Sequence, residues 1–444
     1  MIYNLEMETM ERSSIDQLQY ERLKRTVENV YRNVPFYRQR FLEASITPEE
    51  ITKLEDITNL PFTTKQDLRD TYPFGMFAVP QDKVLRIHGS SGTSGKPTIV
   101  GYTEQDINNW AEIVARAIIA AGGKEKDMFH IAYGYGLFTG GLGLHYGAEL
   151  LGMTAIPMSG GLTERQITIM QDLKPRGICG TPSYLLNIAD RMEEMGIDPR
   201  STSIEYGIFG AEPWSDEMRL ILEQKLGIKA VDIYGLSEVM GPGVAIECHE
   251  EQNGLHIAED HFLVEVIDPD TLLPVDEGKT GELVFTSLTK EALPIIRYRT
   301  GDIASVTRGK CSCGRTTAKM SRIKGRTDDM IIVRGVNVFP SEMERTLLQF
   351  HELVPHYQIH LQKKGSMNTV NLHVELKDSI FEQSQHNLDH VIIQQLRKKI
   401  QQSIKSNCLV SVDVTLCQPR GITRSEGKAI RVIDWNKQQN TLPI

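Results

Sequence analysis

Between residues 80 and 235, short apolar runs alternate with stretches of helical periodicity, and this alternation restricts the possible folds more than any other feature. The runs are MFHIAYG, MTAIPMSG, GICGTP, YGIFGAEP and KAVDIYG. Strands spaced by helices in this way argue for βαβ units, hence a largely parallel sheet with helices on its faces. Ligands of such sheets bind beyond the C-terminal strand ends. Each run here ends in a loop bearing Gly, Ser or Pro.

The flanking regions differ in character. Residues 14 to 45 read as helical, with Leu18, Tyr20, Leu23, Val27 and Val30 at near-helical spacing until Pro35-Phe36-Tyr37 breaks the pattern. The stretch HFLVEVIDPDTLLPVDEGKTGELVFTSL reads as strands joined by Asp-Pro and Glu-Gly turns, a mainly antiparallel β region. From residue 329 onward, DMIIVRGVNVFP, a helix from Ser341, strands near 355–362 and 369–376, a helix at about 384–403 and VSVDVTLC suggest a small α+β domain. The expected fold class is therefore α/β. A large N-terminal domain spans 1–328, with its β region at about 255–328, and a smaller α+β domain spans 329–444.

The net charge of −9 argues against nucleic acid or an anionic membrane as partner, since both need basic surface. No apolar run reaches the length of a membrane span and no signal pattern opens the chain. Six cysteines in 444 residues do not make a disulfide scaffold, so a reducing cytoplasm is expected.

The loop Ser90-Ser91-Gly92-Thr93-Ser94-Gly95-Lys96-Pro97 follows an expected strand ending near His88. Glycines admit a polyphosphate close to the backbone, successive N–H groups and hydroxyls cradle its oxygens, and Lys96 adds a charge. It is not a Walker A loop: Ser90 stands where the first glycine belongs, and Pro97 where the metal-binding hydroxyl belongs. Asp302, after Thr300-Gly301, could accept bonds from both hydroxyls of a ribose, and Arg326 could reach a ribose or phosphate oxygen. Gly210-Ala211-Glu212-Pro213 and Asp232-Ile233-Tyr234-Gly235 are strand-end segments suited to enclosing a flat ring, with Tyr234 as the stacking face. Glu238 is a candidate Mg2+ ligand. Tyr133 to Gly141, with Tyr135, Phe138 and Gly140, could form a slot for a flat apolar acid whose floor Gly235 and Leu236 close. The residues alone also allow a flexible connection, a Gly-Asp turn, a solvated arginine, a core tyrosine, a capping glutamate and a packed helix start.

Taken together and in order, HGSSGTSGKPT (88–98), GAEPW (210–214), DIYGLSE (232–238), RYRTGD (297–302), GRTDDMIIVRG (325–335) and RSEGKAIRV (424–432) resemble the adenylate-forming superfamily. That superfamily comprises acyl-coenzyme A ligases, luciferases and peptide-synthetase adenylation domains. NVPFYR (33–38), YGYGLFTGGLGLHYG (133–147), EDHFLVEVIDP (259–269), LTKEALPIIRYRTGD (288–302) and RGVNVFPSEME (334–344) narrow the resemblance to bacterial phenylacetate–coenzyme A ligases.

The resemblance implies an ATP-dependent, AMP-forming ligase acting through an acyl-adenylate. It implies that Thr93, Ser90, Ser91 and Lys96 hold the β/γ-phosphates, that Asp302 holds the ribose, and that Lys428 bridges carboxylate and α-phosphate. It also implies a mobile C-terminal domain turning about a hinge at Asp328. ATP, Mg2+ and coenzyme A are the implied cofactors and co-substrates, and a homodimer is the implied assembly. Phenylacetate is the expected acid; indole-acetate, hydroxyphenylacetate and benzoates are alternatives, as is an adenylyl transferase that stops at the nucleotide-linked product.

Cys248, His256, Cys311 and Cys313 could hold a structural Zn2+, since three thiols and an imidazole complete a closed tetrahedral site. His249 and His261 are alternative fourth ligands, and reduced cysteines beside an unrelated histidine are the competing reading.

Overall fold

In the computed structural model, which describes residues 1–90, 97–333, 336–364 and 367–435, the alternating segment forms the expected parallel strands. Thr154–Ile156, Met128–Ile131, Gly177–Gly180, Tyr206–Gly210 and Lys229–Leu236 pair side by side in that spatial order. The sheet then continues antiparallel through Gly241–Glu247, Leu255–Ile257, Lys319–Met320, Tyr298–Thr307, Thr280–Ser287 and Phe262–Ile267. The parallel part and the expected β region are thus hydrogen-bonded into one sheet. Burial explains the composition of the central strands: Tyr206–Gly210 is buried at every position, and parallel strands covered on both faces lose the polar alternation.

Arg86–Gly89 is the strand expected before the glycine-rich loop, but it lies outside this sheet. It pairs antiparallel with Ile99–Tyr102, so the loop is the connection of a two-stranded ribbon. Ser91, Gly92, Thr93, Gly95 and Lys96 lie outside the described residues.

The helix Glu104–Ala120 starts at a reciprocal cap. Thr103 Oγ1 accepts from Asp106 N–H at 3.1 Å and Asp106 accepts from Thr103 N–H at 3.0 Å. Its apolar residues Ile107, Trp110, Ile113, Val114, Ala117 and Ile118 are buried. The helical stretch expected over 14–45 is two helices, Arg12–Asn33 and Pro35–Glu43, because Pro35 supplies the first turn of the second, where its missing N–H costs nothing.

The described chain divides into two compact units. The first comprises Met1–Thr181, Ser201–Ala211 and Gly227–Ile323; the second comprises Pro182–Arg200, Glu212–Leu226 and the chain from Lys324. The second unit holds a sheet in the order Asp413–Cys417, Met367–Leu376, Leu353–Lys364, Val432–Asp434. The helix expected at about 384–403 runs Val391–Cys408, because the apolar period begins only at Ile393 and continues through Leu396, Ile400, Ile404 and Cys408. His390 caps it by accepting from Ile392 N–H at 3.3 Å.

Candidate functional site

In the first unit, strand ends gather the predicted nucleotide residues. The Tyr234 hydroxyl donates to Asp302 at 2.7 Å, so two separately identified motifs meet through one hydrogen bond. Both residues are buried, and the Tyr234 ring stacks with Phe285 at 6.0 Å. The turn carrying Asp302 is held locally. Asp302 N–H donates to Thr300 Oγ1 at 2.9 Å, Thr300 Oγ1 donates to the Leu283 carbonyl at 2.8 Å, and Gly301 takes φ +77°. Glu282 accepts from Gly301 N–H at 3.1 Å and from Arg299 at 2.6 Å. Sequence reasoning missed Glu282, which bears no motif of its own. Asp232 pairs with Arg322 at 3.4 Å, and its N–H donates to Glu247 at 2.9 Å.

Glu238 is buried and is met by groups from two other segments. Thr98 Oγ1 donates to it at 3.3 Å, the Lys65 ammonium lies 3.9 Å away, and Ser90 bonds to Thr98. Thr98 closes the motif containing Ser90 and could have been found there; Lys65 carries no sequence signal. A carboxylate, two hydroxyls and an ammonium at the base of the glycine-rich loop make a donor set suited to phosphate oxygens and a hard cation.

The expected acid slot is bordered by two loops that touch. Thr139 Oγ1 and Ser237 Oγ are 3.1 Å apart, and Trp110 beneath them donates from Nε1 to the Pro242 carbonyl at 3.0 Å. Gly235 is required at this junction, since a Cβ there would fall 1.9 Å from the Gly241 carbonyl oxygen. The Tyr135 hydroxyl meets His145 Nδ1 at 3.2 Å, and His145 Nε2 meets Glu149 at 3.0 Å. Burial pushes the Tyr135 phenol upward. Phe138 is exposed and its ring lies against Gly140, while Leu236 is half-buried beside the core. Gly210 and Ile233 are paired across adjacent strands, and Ala211 takes a left-handed φ of +67°, a strained position at a strand end.

In the second unit, Lys428 is exposed and its ammonium takes no partner among the described residues. Its turn, by contrast, is tied down. Ser425 Oγ donates to the Lys428 carbonyl at 2.9 Å and accepts from Gly427 N–H at 3.2 Å. Arg424 makes a two-pronged pair with Glu375 at 2.7 and 2.6 Å. The Lys428 turn, Ser183, His356, Tyr357 and Arg431 line a cavity of about 160 Å3. Glu212 accepts from Ser183 N–H and Ala429 N–H, both at 2.8 Å. Burial lifts its carboxyl above the usual range, opposed by Arg431. Arg326 pairs with Asp328 at 2.8 Å.

A second cluster lies in the first unit. The ligand atoms of Cys248, His256, Cys311 and Cys313 all fall within 4.8 Å of one another. Cys248 and Cys311 sulfurs are 3.8 Å apart, and Cys313 Sγ is 3.5 Å from His256 Nε2. A tetrahedral Zn2+ with Zn–S near 2.3 Å and Zn–N near 2.0 Å places such atoms about 3.8 and 3.5 Å apart, so the residues fit the ion. The hydrogen bond between Cys248 and Cys313 pushes Cys248 up and Cys313 down, and burial adds to the first. His256 Nδ1 lies 3.4 Å from Thr317 Oγ1, an outer partner of the kind that orients a ligating imidazole. The two alternative histidines are elsewhere: His261 contacts Thr289 at 2.7 Å and Asp260 at 3.2 Å, and His249 lies against Gly122.

Residues 22–289 match the AMP-binding enzyme family, and residues 335–436 match the AMP-binding enzyme C-terminal domain. A phenylacetate-coenzyme A ligase from Thermus thermophilus is 51% identical over 445 residues, covering 98% of this chain and 100% of that protein. One from Escherichia coli strain K12 is 51% identical, covering 98% of each. Among solved structures, 2-hydroxyisobutyryl-CoA ligase in the postadenylation state with 2-HIB-AMP superposes with a TM-score of 0.90 at 28% identity, covering 98% of this chain and 94% of that one. The same ligase with 2-HIB-AMP and CoA in the thioesterification state gives 0.73, covering 99% and 95%. Among the described residues no helix is long and apolar enough to cross a membrane.

Proposed function

This chain belongs to the AMP-binding enzyme family, alongside the phenylacetate–coenzyme A ligases, and on that premise we propose that it joins phenylacetate to coenzyme A in two steps at the residues described above. In the first step a carboxylate oxygen attacks the α-phosphorus of ATP, and pyrophosphate leaves with the electron pair of the broken P–O bond. In the second the coenzyme A thiol, losing its proton, attacks the adenylate carbonyl and AMP leaves. Neither step asks the protein for covalent chemistry, so its work is positioning and stabilisation of developing charge.

Asp302 takes the ribose hydroxyls and Tyr234, oriented by its bond to that carboxylate, stacks on the adenine. The backbone of Gly210 to Pro213, with Asp232 and Ile233, encloses the ring, and Arg326 reaches the ribose or phosphate. Ser90, with the loop residues Ser91, Gly92, Thr93, Gly95 and Lys96, cradles the phosphates; Glu238 would hold Mg2+, whose chemistry is to share the phosphate charge. Tyr135, Phe138, Gly140, Gly235 and Leu236 border the aryl group. Lys428 neutralises the charge that builds up as the carboxylate meets phosphorus, then withdraws as the smaller domain turns about Asp328 to admit the thiol. The boundary at 328, a cytoplasmic setting and a homodimer belong to the same reading, and sedimentation of the purified chain checks the last. Zn2+ on Cys248, His256, Cys311 and Cys313 has no catalytic part; it would join strand-end segments far apart in sequence.

One observation carries the reading: an exposed lysine without a partner among the described residues, presented by a turn that Ser425 and Glu212 hold by hydrogen bonds. Lys428→Ala is expected to lower acid-dependent ATP–pyrophosphate exchange by at least about a hundredfold, the scale of a lost charge-stabilising group. Thioester formation from supplied phenylacetyl-adenylate should survive. Equal loss of both half-reactions would remove Lys428 from this role. Release of AMP across a panel of aryl acids, with and without coenzyme A, separates the ligase from a transferase that stops at the adenylate.

A further inference from the structure

Both oxygens of the Glu212 carboxylate are taken by backbone donors of the chain. One accepts from Ser183 N–H and the other from Ala429 N–H, each at 2.8 Å. Ser183 stands in the first turn of the helix Pro182–Glu194, where N–H groups have no partner within the helix. Ala429 directly follows Lys428. One carboxylate therefore joins a helix N-terminus to the residue beside the lysine.

The same helix adds further contacts along a single face. Ser183 Oγ donates to the Gly427 carbonyl at 3.2 Å, and Asn187 Nδ2 donates to the Ser425 carbonyl at 3.3 Å. Asp190 meets His356 Nε2 at 2.9 Å, and Glu194 meets Arg420 at 2.6 Å. Positions 183, 187, 190 and 194 fall four, three and four residues apart, the spacing of one helical stripe. All of these contacts are polar and individually modest, so the seam can hold and also release. By sequence this helix belongs to the AMP-binding match at 22–289, whereas the groups it meets belong to the C-terminal match at 335–436.

We propose that Glu212 is a positioning residue for Lys428: its carboxylate latches the lysine turn to the helix Pro182–Glu194 for adenylate formation and lets go before thioester formation. This rests on the two-step reading above. The carboxylate, read from the sequence as part of the nucleotide enclosure, acts here through the lysine turn.

The test is Glu212→Gln in the full chain, which keeps the side chain's size but turns an NH2 toward one of the two N–H donors. Hydrogen exchange of amides in 425–431 of the ligand-free protein should quicken by at least about fivefold, the signature of a locally loosened segment. The turnover of phenylacetate-dependent ATP–pyrophosphate exchange should fall by about tenfold while KM for ATP moves by less than about threefold, a split that marks a group acting mainly in the transition state. Thioester formation from supplied phenylacetyl-adenylate should fall by less than about threefold. Asn187→Ala, removing one weaker bond of the same seam, should shift all three readouts in the same direction by less. Unchanged amide exchange, equal losses in both half-reactions, or a rise in KM for ATP at constant turnover would each overturn the latch. Absence of pyrophosphate exchange in the unmodified chain would instead overturn the ligase reading, while amide exchange would still decide whether the latch exists.

Discussion

Lys290 shows how far one residue's behaviour depends on its surroundings. Its ammonium sits 3.2 Å above the Tyr102 ring, with the Met240 sulfur at 3.8 Å. Burial pushes its pKa down to about 7, and Asp106 only partly opposes this. Free lysine titrates near 10.4, so between about pH 7 and about pH 10 the unfolded chain binds a proton that the native chain does not. Stability is therefore expected to rise with pH across that window, and below it the native state carries the full cost of the buried charge. Lys290→Met should raise the urea midpoint at pH 7 and flatten the rise toward pH 9.5; an unchanged slope would show that the ammonium is not the source. Nothing local in LTKEALP reveals this, because the ring and the thioether come from residues far away in the chain. Asp302 is the opposite case. Its turn is set by Thr300 and Gly301 beside it, so its placement was legible, and only its pairing with Tyr234 needed the sheet.

Among elements, some signals are short-range. In the helix Glu104–Ala120 the cap at Thr103 and the buried apolar residues behind it are both local to the segment, a signal that lies in the sequence but that sequence reasoning missed. The metal cluster required more. Cys311 and Cys313 are close in sequence, but Cys248 and His256 reach them only because Leu255–Ile257 pairs with Lys319–Met320, which sets the loop preceding Lys319 beside that strand. The same strand pairing left His249 and His261 outside. Ligand distances suited to Zn2+ lead to a concrete expectation: the purified chain carries about one zinc per molecule, and Cys313→Ser loses it. A metal held at about a hundred times its Kd contributes about 2.7 kcal/mol, so chelation should lower the melting temperature measurably and added zinc should restore it. Full retention of stability without metal would leave the cluster as reduced cysteines. Arg315 marks what the site would secure, since it contacts Cys313 Sγ at 3.6 Å and Glu8 at 2.5 Å, linking the cluster to the start of the chain.

For the whole molecule, the second unit crosses the boundary that the sequence suggests. The helices Pro182–Glu194 and Asp216–Leu226 lie far upstream of Lys324, yet they are compact with the chain that follows it. Ending the chain at Ile323 removes His356, Arg420 and Ala429 from their partners Asp190, Glu194 and Glu212. The truncated chain is therefore expected to melt earlier and to lose amide protection in 182–194; protection equal to that of the intact chain would show that these helices stand without the C-terminal segment.

Read by itself, the amino-acid order settled the alternation of strands and helices, the strand-end loops and the membership of an AMP-forming ligase family, because periodicity, turn chemistry and motifs are properties of neighbouring residues. The tertiary structure decided which distant groups meet: Tyr234 with Asp302, Thr98 and Lys65 with Glu238, three thiols with His256 and not His249, and Glu212 with the lysine turn. Those meetings follow from strand order and helix placement, which are fixed by burying the separate core of each unit and have no signature in any single stretch of chain.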